Sequence, residues 1–134
     1  MATLKTTIKL FLTVNDGVKA VEFYKSAFGA IEVKRFEIEN QKISSVLQIE
    51  NAEFYLSDEE PENGNLSPDL KSNSGIRIIL ETKNADALFE KALQFGATAI
   101  CPITTEEDWR IGKLSDPFGH IWEIGFASNL YELE

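Results

Sequence analysis

A chain of 134 residues has room for one compact domain, or for two small halves that share a core. Its 43% hydrophobic and 26% charged residues are a globular balance, which excludes wholesale disorder. The formal net charge of -9 excludes nucleic acid as a natural partner, because phosphate binding needs a basic footprint.

The chain opens on "MATLKTTIKLFLTV", which Lys5, Thr6, Thr7 and Lys9 interrupt. It reads as neither a signal peptide nor a membrane span, which needs about 18 apolar residues in a row. Alternation predicts a strand over Thr7 to Val14. An amphipathic helix follows, with Val18, Val21, Phe23, Tyr24, Ala27 and Phe28 on one stripe, Asp16 as its N-cap and Gly29 as its stop. Three strands come next, "IEVKRFEIE", "ISSVLQIE" and "AEFYLSD", with polar breaks at Asn40-Gln41 and Asn51. The segment "EEPENGNLSPDLKSNS" (59–74) then reads as a linker, either a flexible loop or a lid over a site.

The second half repeats the first. "LETKNADALFEKALQFGA" parallels "LTVNDGVKAVEFYKSAFGA", and Gly29 and Gly96 stand half the chain length apart. "GIRIILET" precedes the second helix. That helix has Asn84 as its N-cap and Ala85, Leu88, Phe89, Ala92, Leu93 and Phe95 on its apolar side. "TAICPITT", "DWRIGKLS" and "HIWEIGFA" follow it. Each half reads β-α-β-β-β, with modules at 1–58 and 75–134 around the 59–74 linker. The expected class is α+β: a curved, partly closed mixed sheet around a cavity, with helices on its outer face.

Strand parity divides each sheet into a dry face and a mixed face. Ile8, Leu10, Leu12, Val14, Phe54, Leu56, Ile76, Ile78, Leu80, Trp122, Ile124 and Phe126 are assigned to the helix side. Lys9, Phe11, Tyr55, Arg77 and Glu123 fall on the other. Two readings fit the mixed faces: they line a shared cavity, or they face solvent, as one side of an antiparallel sheet often does. Cys101, the only cysteine, can form no intramolecular disulfide. It reads as a small buried apolar residue in a reducing, cytoplasmic setting.

The motifs "VNDGVKAVEFYKSAFGA", "YLSDEEP" and "DPFGHIWEIG", in that order on a repeated frame, resemble the vicinal oxygen chelate superfamily. This group includes glyoxalase I, bleomycin resistance proteins and extradiol dioxygenases. "FYKSAFG", "LSD" and "DPFGHIW" look most like its PhnB-like branch. The resemblance implies homodimers with a small-molecule cavity. In metal-dependent members it implies four His, Glu or Gln ligands on the first and last strands of each module. Counted from the shared motifs, those positions fall on Lys9, Tyr55, Arg77 and Glu123. Only Glu123 suits a metal, since protonated Lys and Arg offer no lone pair. A site with two histidines and a carboxylate is excluded by the single His120. No metal and no cofactor are therefore expected.

Two outcomes follow for the altered site. Lys9, Arg77 and Glu123 close it as an ion-pair network, or the cations receive an anionic or carbonyl-bearing ligand. Phe11, Phe36, Trp109 and Phe118 are candidates for an aromatic wall. As alternatives, a metal-independent isomerase or lyase would use Glu123 as general base, Tyr55 as proton donor, or Lys9 as base or Schiff-base amine. A drug-sequestering protein would do no chemistry. Asp116-Pro117-Phe118-Gly119 reads as a turn, and His120 as a strand residue on Trp122's side rather than a ligand.

Overall fold

The computed structural model describes residues 4–69 and 75–127. The 70–74 part of the expected linker and the 128–134 end of the second module lie outside the described residues. The elements run β1 (Phe11–Val14), α1 (Gly17–Phe28), β2 (Ile31–Glu37), β3 (Ile43–Ile49), β4 (Ala52–Asp58), β5 (Ile78–Glu81), α2 (Ala85–Gln94), β6 (Thr98–Glu106), β7 (Trp109–Ser115) and β8 (Ile121–Ala127). They form two four-stranded sheets, ordered β1-β4-β3-β2 and β5-β8-β7-β6. In each, the first strand pairs parallel to the last, and the other pairs are antiparallel. The α+β class and the two similar modules are as the sequence implies.

Local chemistry explains the helix ends. Asp16 Oδ1 accepts from Lys19 N at 3.1 Å, satisfying one orphan donor of the first turn of α1. Gly29 closes α1 in the left-handed region at φ 71°, a backbone conformation that other residues adopt only under strain. Asn84 makes no side-chain cap on α2. Thr82 Oγ1 accepts from Asn84 N at 3.1 Å, holding the turn that leads into the helix.

The core joins the halves through aromatic rings. Tyr24 and Phe28 of α1 meet Trp122 of β8 at 5.7 and 4.9 Å, and Tyr24 meets Phe54 edge-on at 5.6 Å. Leu12, Val14, Leu47, Leu56 and Ile124 fill the space around them. Burying such rings supplies much of the fold's driving force.

Several side chains depart from expectation. Ile8 is 99% exposed and Ile76 is exposed, because β1 and β5 start later than the alternation suggests. The last rung of β1 is Tyr55 N donating to Leu10 O at 2.9 Å. Val18 and Phe95 are exposed; Phe95 lies past the end of α2, where the helical stripe no longer aims it inward. Cys101 is exposed rather than buried, on an edge strand whose register shifts around it and where Pro102 is tolerated. The described part of the 59–74 segment is a hydrogen-bonded hairpin. Glu60 bridges Asn65, and the Glu59 carboxylate accepts from Ser67 N and Oγ, each at 2.9 Å.

Candidate functional site

Each module carries a cation and its partner on the sheet face opposite its helix, a phenol in the first and a carboxylate in the second. In the first, Lys9 Nζ donates to the Tyr55 hydroxyl at 3.0 Å, and Phe11 stacks on the Tyr55 ring at 5.8 Å. That hydrogen bond, then the Coulombic effect of Tyr55, raises the Lys9 ammonium above its usual range. Register carries the same face across β3 and β2 to Val46, Ser44 and Phe36. Phe36 is exposed, with Lys34 Nζ 4.8 Å over its ring.

In the second module Glu123 is the hub. Arg77 Nε lies 3.0 Å and Lys113 Nζ 3.8 Å from its Oε1. Side-chain exposures are 60% for Arg77, 15% for Glu123 and 31% for Lys113, so the carboxylate is recessed between two more open cations. Glu123 separates two hollows. One, of about 320 Å³, is lined by Ile79, Glu81, Trp109, Ile111 and Gly125. The other, of about 240 Å³, lies toward β6 and includes Cys101, Thr104, Glu106 and Lys113. A wider depression of about 650 Å³ opens beside α1 and Phe118, but neither of these pairs reaches it.

The structure brings Lys9 to Tyr55 and Arg77 to Glu123, and places Trp109 beside Glu123 in one hollow. Among the described residues, no hydrogen bond or ion pair joins the two pairs to each other. Phe118 borders the depression beside α1 rather than the hollows at Glu123. It is buried against Phe23 and Tyr24, with ring centroids 6.1 and 6.3 Å away. Lys113 was missed by strand parity alone, although counting outward from the turn pairs Ser115 with Ile121 and Lys113 with Glu123, as the register does.

Asp116 was missed in a different way. Beyond shaping the turn, its buried carboxylate binds the halves together. Oδ1 accepts from Phe118 N and His120 N at 2.9 and 3.0 Å. Oδ2 accepts from Trp122 Nε1 at 2.9 Å and from the Tyr24 hydroxyl of the other module. His120 Nε2 lies 2.9 Å from Thr13 O, again across the modules.

The donor set does not fit a divalent metal. The four positions offer one carboxylate, a phenol and two cations, and Lys113 adds a third positive charge beside the carboxylate. A cation placed there would meet net positive charge and too few lone pairs. Among the described residues, no three His, Cys, Asp or Glu side chains gather into a metal-binding group.

Two β-α-β-β-β modules, each with a parallel first-to-last strand pair and polar side chains on the face opposite its helix, define a paired-module protein of the vicinal oxygen chelate type. The chain belongs to the glyoxalase/bleomycin resistance protein/dioxygenase superfamily, whose family model matches residues 6–124. It is 32% identical over 120 residues to the uncharacterized protein Mb0911c of Mycobacterium bovis, covering 85% of this chain and 78% of that one. The X-ray structure of the Arabidopsis thaliana At5g48480 product is similar at 32% identity and TM-score 0.69, over 90% of this chain and 98% of that one. The fosfomycin resistance protein FosX of Mesorhizobium loti shares the fold at 16% identity and TM-score 0.71, over 98% of both chains.

Proposed function

We propose that the chain is a PhnB-like, metal-free binding protein of the cytoplasm. Its ligand is a small anionic or carbonyl-bearing molecule, held by Arg77 and Lys9 between apolar walls that include Phe11, Tyr55 and Trp109. The observation that carries this reading is the recessed Glu123, which lines an apolar hollow and is held by two more open cations, Arg77 and Lys113. An exposed guanidinium beside such a hollow is suited to oxyanions.

The protein works as a homodimer in this proposal. Phe11, Ile79 and Trp109 are exposed on the two faces, and Leu4 and Ile8 of the segment before β1 are exposed as well. That much open apolar surface is unusual for a lone soluble domain. The first module's face bears Lys9, Lys34 and Glu53, and the second's bears Glu81, Glu106 and Glu123 with Arg77 and Lys113, so the two faces lean to opposite sign. A second copy opposing unlike faces would therefore cover both and enclose the ligand.

A thermal-shift screen of small oxyanions, with inorganic phosphate as the simplest probe, tests the ligand class on wild type and Arg77→Ala. Stabilisation of wild type that the variant loses is expected. Equal stabilisation of both would remove Arg77 from the site. The second reading, proton transfer by Glu123 in an isomerase or lyase, draws on its position among Ile79, Ile111 and Trp109. It requires a turnover that Glu123→Gln abolishes.

A further inference from the structure

We propose that Lys113 is a positioning residue that frees Arg77 for the ligand, by keeping Glu123 charge-compensated when the guanidinium leaves it. This rests on the anion-binding reading above. The geometry separates the two cations by role. Arg77 Nε stands 3.0 Å from Glu123 Oε1. Arg110, by contrast, grips Asp86 through Nε at 2.8 Å and Nη2 at 2.6 Å. The Arg77 pair is thus the looser one, on a side chain 60% exposed and just before β5 begins.

Lys113 is directly cross-strand from Glu123. It approaches the same Oε1 from the β6 side at 3.8 Å and is less exposed, at 31%. It lines the smaller hollow, whereas Arg77 lines neither. A recessed carboxylate stripped of its only cation would pull Arg77 back and compete with any incoming anion. With Lys113 in place that competition weakens, and an oxyanion can take the guanidinium in a two-point fork. Glu123 then serves as a latch on Arg77 in the empty protein, and Lys113 sets how tight the latch is. This device selects ligands with a planar or tetrahedral oxyanion over neutral carbonyl compounds, which cannot outbid a carboxylate for Arg77.

A double-mutant cycle tests it, with inorganic phosphate titrated by calorimetry against the full chain. The four proteins are wild type, Lys113→Met, Glu123→Gln and the double variant. Lys113→Met should weaken phosphate binding about fivefold when Glu123 is present and by less than about twofold in the Glu123→Gln background, since coupled neighbours are non-additive. An equal loss in both backgrounds would mean that Lys113 acts only as a distant charge, and would overturn the inference while leaving the anion site standing. Absence of phosphate binding by wild type would overturn both. Matching melting curves and circular dichroism for the four proteins would show that any loss is not misfolding. If Lys113→Met fails that check, Lys113→Gln replaces it.

Discussion

Replacing Asp116 by Asn should destabilise the chain almost as a deletion does, although the two side chains have the same shape. The carboxylate is buried and receives four donors. Asn supplies one acceptor oxygen and one NH2. With the oxygen toward Phe118 N and His120 N, the NH2 faces Tyr24 and Trp122. The Tyr24 hydroxyl can rotate to accept, but the Trp122 indole can only donate and is left unsatisfied. That costs about 1–3 kcal/mol, and the surviving bonds lose their charge assistance, which brings the total to about 2–4 kcal/mol. Asp116→Ala strands both buried side-chain donors and should cost about 3–6 kcal/mol, lowering Tm by about 10–20 °C for a chain of this size. Urea denaturation followed by circular dichroism, at one fixed protein concentration, gives the values. An Asn variant within about 0.5 kcal/mol of wild type would refute the four-donor account.

Three other outcomes follow from the same coordinates. Burial, then the charge of Asp116, raises the Tyr24 phenol well above its usual value. Its stabilisation is therefore complete below the unfolded phenol pKa of about 10 and is lost as pH rises beyond it; Tyr24→Phe should flatten that alkaline limb in pH-dependent melts. Gly125→Ala should destabilise by about 1–3 kcal/mol in the same denaturation assay, because its Cβ would stand 2.1 Å from the Arg110 carbonyl oxygen across β7 and β8; a variant as stable as wild type would show that the two strands can part freely there. The Ser67 N–H, then its hydroxyl, lowers the Glu59 carboxyl, so the 59–69 hairpin should keep its amide protection above about pH 4.3 and lose it as pH falls further. Hydrogen exchange of Ser67 N–H against pH reads this directly, and protection independent of pH would count against the Glu59 clasp.

The modules were legible because local signals agreed with one another. Phe-Gly-Ala closed both helical patterns, and alternation marked the helix-side residues Leu12, Phe54, Trp122 and Ile124, all of which are buried. The strand starts were less legible. Alternation at Ile8 and Ile76 shows what those residues would do if paired, but not that a partner strand is present. The packing of Phe118 was not legible, because an Asx turn, with Phe118 N on Asp116 Oδ1, folds most of its ring inward, which a linear pattern does not encode. Asp116 itself looked like a turn residue. That it also holds Tyr24, distant in sequence, depends on how α1 crosses β8, a tertiary fact without a local signature. The two pairs were legible by parity, whereas Lys113 needed the hairpin register as well.

The most direct measurement is a calorimetric titration of wild-type protein with inorganic phosphate before and after exhaustive chelation. Binding of unchanged affinity in the metal-stripped protein is expected, because Arg77 and Lys9 supply the positive charge. Binding that disappears on chelation and returns only with added Mn, Ni or Zn would contradict a metal-free site.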